Sequence, residues 1–193
     1  MKITWQEVLR DWEADEVERY RGLYESRGFD SWLEWRRSCF EDLQLAERTW
    51  SEALIENPYD VVPQLHIGGF QGWFKYRPER KLHATFADVV RVPIAGEVSY
   101  EGEARVDVRT NDGVMRFKSN PGPVTLLVLI AGDFRVVLEG THRSAAIAAI
   151  AADGLEQLLN PVTARICRFD DSERVLLEDF ARDRKATKKK GDY

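Results

Sequence analysis

Cysteine is nearly absent from this chain. Cys39 and Cys167 are the only two among 193 residues, too few for a disulfide framework. A packed core must hold the fold, and a reducing cytoplasm is the expected setting. Histidine is almost as scarce: His66, His83 and His142 stand far apart, and none is spaced with a cysteine or an acid as zinc ligands would be. No apolar run approaches the roughly 18 residues of a membrane span. The opening Met1-Lys2-Ile3-Thr4-Trp5-Gln6-Glu7 lacks the apolar centre of a signal peptide. A basic surplus is missing too: the formal net charge is -5, which disfavours a protein built to hold nucleic acid. Proline is absent from residues 1–56, and there the pattern is helical.

That first section is acidic, with 8 Lys+Arg against 14 Asp+Glu, whereas the remainder is balanced at 20 against 19. Trp5, Val8, Leu9 and Trp12 recur at helical spacing, and Val17, Tyr20 and Tyr24 continue the stripe. Gly28 offers a stop. Ser31 followed by Glu34 is a capping-box candidate for a second helix carrying Trp32, Trp35, Cys39, Phe40 and Leu43. A third helical segment is expected over 43–56, closed by Asn57-Pro58. Five of the six tryptophans fall in this section; at helical spacing they are expected to pack helices onto a partner surface rather than to form a ligand cage.

Residues 57–84 form a glycine- and proline-rich connection. Gly68-Gly69-Phe70-Gln71-Gly72-Trp73 matches neither the Walker nor the Rossmann spacing. Lys75, Arg77, Arg80 and Lys81 are expected on a solvated face, with contact to a phosphate as the sharper alternative. Strands are then expected at 89–94 and 104–109, the second turning at Asn111-Asp112-Gly113 into a hairpin partner at 114–117. Val124–Ile130 is a continuous apolar run of the kind found in a central strand. Phe134–Leu138 reads as another strand, Thr163–Phe169 as the last, and 172–182 as a closing helix with Asp170-Asp171 at its start. The basic residues of 183–193 are expected in a mobile, solvated tail.

The chemistry concentrates where the strand at 134–138 gives way to an alanine-rich helix, through Glu139-Gly140-Thr141-His142-Arg143-Ser144. A helix starting after glycine leaves backbone N–H groups unpaired, with the positive end of its dipole behind them. Gly140 permits positive φ and close approach of a ligand. Thr141 can cap the helix or donate to an oxyanion, and His142 can donate a hydrogen bond or carry charge. Arg143 can grip phosphate or carboxylate with two donors. Glu139 can hold Arg143, meet a magnesium ion or act as a general base. The plain alternative is a strand-to-helix turn braced by a Glu139–Arg143 salt bridge. Ser144 is no nucleophile elbow, because the Gly-x-Ser-x-Gly frame is missing.

The run Leu138–Ala148 resembles the signature turn of the ParB/sulfiredoxin-like superfamily, an acidic residue, glycine, polar residues and arginine before a small-residue helix. Ala87–Ile94 resembles the strand that opens many such domains. The resemblance covers roughly 85–170. It implies an α+β fold, with the N-terminal helices of 1–56 packed on a small mixed sheet domain at 85–182. It also implies a nucleotide or phosphate site in which Gly140, His142 and Arg143 meet phosphate oxygens and Glu139 serves as catalytic base; the hydroxyl of Thr141 is expected to add a fourth phosphate contact. Any phosphoryl transfer would then need Mg²⁺ between the phosphates. Thr141 stands where sulfiredoxins carry their reactive cysteine, so sulfinic-acid reduction is not expected, and the residues after 170 are not expected to hold the helix-turn-helix of partitioning proteins. The expected function is binding of a nucleotide or small phosphorylated ligand, supporting phosphotransfer or hydrolysis. Its rival is a non-catalytic regulatory or scaffold module. The acidic, tryptophan-rich helices are candidates to cover the site or to form a homodimer surface.

Overall fold

The computed structural model describes residues 1–155 and 161–182; the basic tail expected at 183–193 lies outside them. The described chain is a mixed α/β structure with a six-stranded mixed sheet. In chain order the elements are β1 (Lys2–Ile3), α1 (Trp5–Ser26), α2 (Trp32–Phe40), β2 (Trp50–Ile55), α3 (Pro58–Val61), β3 (His66–Ile67), α4 (Phe86–Val90), α5 (Asp112–Ser119), β4 (Val124–Ala131), β5 (Phe134–Glu139), α6 (Thr141–Ala152), β6 (Val162–Phe169) and α7 (Arg174–Arg182). The strands lie in the order β1-β2-β6-β4-β5-β3. β4 runs parallel to β6 and β3 parallel to β5, and the other pairs are antiparallel.

β4 is central, as its apolar run predicts, and both its faces are covered. Leu127, Leu129 and Ala131 point into a core shared with α1, α2 and α7. Leu126 and Val128 point into a second core under α4, α5 and α6. β6 divides the same way, Cys167 and Phe169 on one side, Val162 and Ala164 on the other. Ala145, Ala146, Ala148 and Ala149 of α6 are buried and let that helix lie close to the sheet. Among the described residues no helix is long and apolar enough to cross a membrane.

Three sequence expectations fail, each for a local reason. Residues 50–55 form strand β2 rather than the end of a third helix, antiparallel to β6 from Trp50↔Cys167 to Ile55↔Val162. Its Glu, Ala and Leu favour helix on propensity, and sheet pairing overrides them. The strand expected at 89–94 is replaced by α4, because Thr85 and Asp88 form a capping box. The hairpin expected from 104–109 across Asn111-Asp112-Gly113 does not form: 104–109 is no strand and ends in a 3-10 turn at Val108–Thr110. Asn111 instead starts α5, its Oδ1 accepting from the Gly113 and Val114 amides at 2.9 and 3.2 Å. Asparagine serves turns and helix starts equally well, and here it caps.

Of the loop cations expected on a solvated face, Lys75, Arg80 and Lys81 are exposed and Arg77 is not. Arg77 is fully buried and donates to the carbonyls of Ala181, Ile67 and Gly68; burial lowers its pKa to about 10. Arg105, in the segment expected to be a strand, donates to the carbonyls of Tyr76, Asp88, Val89 and Arg91 and pairs with Glu97. These two side chains tie down connections that carry little regular structure.

Candidate functional site

The site is assembled from the ends of β5 and α6 and one flank of α1. Gly140 sits at φ +95°, a conformation that L side chains rarely adopt, and a Cβ there would stand 2.5 Å from Leu126 Cδ2. The chain can reverse from β5 into α6 only with glycine at this point. No side chain caps α6. Thr141, expected as a possible cap, is instead the first helical residue and is buried. The amides of the first turn are therefore left without side-chain acceptors.

Gly140, Thr141, His142 and Arg143 all line a cleft of about 370 Å³, together with Glu139. Its other walls bring residues from distant parts of the chain: Glu16, Arg19 and Tyr20 of α1, Arg27 and Arg36 from the helical section, and Trp73, Lys75 and Tyr76 of the Gly/Pro-rich connection. The five residues picked out by the sequence are thus together, on one wall, facing aromatic and basic side chains that no local pattern announces.

Arg143 is held in three directions. It donates to the Thr125 carbonyl at 3.2 Å, to Asp15 Oδ2 at 3.3 Å and to Glu139 Oε1 at 3.2 Å. Burial of Glu139 pushes its carboxyl up to about 7, reinforced by the charges of Glu16 and Asp15, while Arg143 and the Gly140 amide pull the other way. A carboxyl poised near neutrality can both take and give a proton. His142 packs edge-on against Trp73, with ring centroids 5.1 Å apart. Burial, then the charges of Arg19, Arg143 and Arg116, lower its pKa and so favour the neutral imidazole. Gly113 makes this position possible, since a Cβ there would meet His142 Cδ2 at 2.5 Å.

The tryptophans of α1 and α2 pack as expected, and their arrangement contains a surprise. Arg36 lies over the rings of Trp35 and Trp12, at 4.2 and 5.2 Å from their centroids, and near Tyr20 and Trp32. The aromatic cage exists, but the cation inside it is the protein's own. Glu16 Oε2 closes it, accepting from Trp32 Nε1 at 3.1 Å and Arg36 Nε at 2.9 Å. Sequence reading missed Glu16, although it continues the Val8–Trp12 stripe four residues on, and a carboxylate on a core-facing stripe calls for a buried partner.

Among the described residues no group of three or more histidine, cysteine, aspartate or glutamate side chains could hold a metal ion. Cys167 is buried, with its thiol pushed up to about 12, and takes no part in the cleft. Comparison with known proteins identifies no relative: no family model matches the chain, nor does any curated protein or any solved structure.

Proposed function

We propose that the protein binds a nucleotide or small phosphorylated ligand in this cleft, with its phosphate at the start of α6 and Glu139 as the proton acceptor for transfer or hydrolysis. One observation carries the reading: an uncapped helix start, four arginines and a histidine share a cleft with a buried carboxyl pushed up to about 7. Backbone amides at a helix start and guanidinium groups both suit phosphate oxygens. The planar rings of Trp73, Tyr76 and Tyr20 in the same cleft suit a nucleotide base. The resemblance of Leu138–Ala148 to the ParB/sulfiredoxin-like turn points the same way. The donor set offers no ready-made cation cage, so Mg²⁺ would arrive with the nucleotide, held chiefly by phosphate oxygens.

The test is thermal unfolding of wild type and Arg143→Ala against orthophosphate and nucleoside mono-, di- and triphosphates, with and without Mg²⁺. A ligand that binds only the folded state raises stability with the logarithm of its excess over Kd. The expected result is a nucleotide-selective rise that Arg143→Ala removes. No rise with any ligand, in a variant that still folds, overturns the reading.

A second reading is favoured by the three contacts of Arg143. A guanidinium already engaged by Asp15, Glu139 and a carbonyl braces the fold, as expected of a non-catalytic regulatory or scaffold module. Steady-state phosphate release from bound nucleotide separates the two: turnover supports the enzyme, and its absence alongside binding supports the module.

A further inference from the structure

A second cleft, of about 570 Å³, adjoins the first across α6 and is lined by Asp15, Arg19, Gly113, Arg116, His142 and Arg143 among others. Arg19, His142 and Arg143 belong to both clefts. Many arginines of the chain are matched to a carboxylate, as in Arg48–Glu173, Arg105–Glu97, Arg165–Asp11 and Arg174–Glu178. Arg19 and Arg116 form no such ion pair among the described residues, and both line this cleft. Asp15, the one carboxylate in this cleft, is turned to Arg143.

The placement of these cations follows from the helices. Arg116 lies one turn beyond Gly113 on α5, so the two share a face, and Gly113 is where α5 comes against His142. Arg19 lies four residues beyond Asp15 on α1. Arg19, Arg116, His142 and Arg143 line this one cleft, and the three guanidinium charges oppose protonation of the imidazole. Like charges gathered around a half-buried ring repel one another, and an anion among them relieves that repulsion.

We propose that the ligand of this protein carries two anionic groups joined by a short spacer, one at the start of α6 and the other between Arg19 and Arg116 in the adjoining cleft. This rests on the phosphate reading of the turn and extends it: a singly anionic ligand leaves the second cleft's cations unmatched. His142 and Arg143 form the shared wall between the two subsites. The chemistry sought is a phosphate with a second phosphate or a carboxylate a few bonds away.

The experiment is calorimetric titration at fixed ionic strength with orthophosphate and with methylene-, propylene- and pentylene-bisphosphonate. A second anchored group acts at high effective concentration, so one spacer length is expected to bind about tenfold more tightly than orthophosphate. Arg116→Ala, an exposed position on α5, is expected to remove that gain while leaving orthophosphate unchanged. Arg168→Ala, an equal loss of charge that lines neither cleft, is expected to change neither. If Arg116→Ala leaves the gain intact, or no spacer gains over orthophosphate, the second subsite is overturned while orthophosphate binding that depends on Arg143 keeps the first. If orthophosphate does not bind, or binds equally well to Arg143→Ala, the turn reading and this extension fall together.

Discussion

Two arginine–glutamate pairs face the same cleft and differ in how they are enclosed. Arg36–Glu16 is sealed: both side chains are 7% exposed, four aromatic rings surround the guanidinium, and one carboxylate oxygen serves Arg36 and Trp32 together. Arg143–Glu139 is open on one side, at 22% and 15% exposure, and its guanidinium is shared with Asp15 and a backbone carbonyl. The first arrangement satisfies its charges within the protein and fixes α1 against α2. The second leaves a carboxyl raised to about 7 beside a guanidinium whose partners could be exchanged for a ligand. The same two residue types serve architecture in one place and are available for chemistry in the other. What separates them is the number of buried partners, not the identity of the residues.

The comparison can be broken most forcefully at the sealed pair. Arg36→Met strands Glu16 among aromatic rings and is expected to cost about 3–5 kcal/mol in urea unfolding. Replacing Glu16 and Arg36 together by apolar residues is expected to recover most of it, and a neutral single variant would remove the distinction. Next comes the pH dependence of the open pair. The folded state holds the Glu139 proton up to about 7, against an ordinary value of 4.5. Its contribution to stability is therefore present below about 4.5 and lost as pH rises towards 7, on the order of 3 kcal/mol over that window. Glu139→Gln is expected to flatten that decline in a series of unfolding curves.

Smaller effects sharpen the picture. Gly140→Ala forces positive φ on a side chain that meets Leu126, and is expected to cost about 1–3 kcal/mol in thermal unfolding and to weaken phosphate binding with it. Asp15 is 60% exposed, so Asp15→Asn is expected to change stability by less than about 1 kcal/mol. By releasing one hold on Arg143, it is expected to tighten orthophosphate binding several-fold in calorimetry. Weaker binding in that variant would favour the brace over the binding site.

Several elements of the fold were legible in the sequence because their signals are local. The apolar run of β4, the β5–Gly140–α6 passage and the cap of α2 by Ser31 each lie within a few residues, and each appears in the structure. α4 and α5 were not legible, because capping by Thr85 and Asn111 outweighs the apolar alternation around them, and β2 was not, because pairing with β6 outweighs its helix propensity. The site divides in the same way. Glu139 to Arg143 stand out as consecutive residues at a turn. Arg19, Trp73, Gly113 and Arg116 become part of the site only when α1, α5 and the Gly/Pro-rich connection pack around α6. Arg77 and Arg105 show the opposite failure: cations in an apparent loop and an apparent strand turn out to be buried clamps, and sequence holds no mark of the carbonyls they gather.

The central claim is that the start of α6 receives a phosphate. The most direct measurement is a two-dimensional amide NMR titration of the full chain with orthophosphate, following the backbone N–H signals of Gly140, Thr141, His142 and Arg143. The account predicts saturable shifts concentrated on these amides, abolished in Arg143→Ala. Saturating phosphate that leaves them unmoved, or moves amides elsewhere in the chain instead, would contradict it.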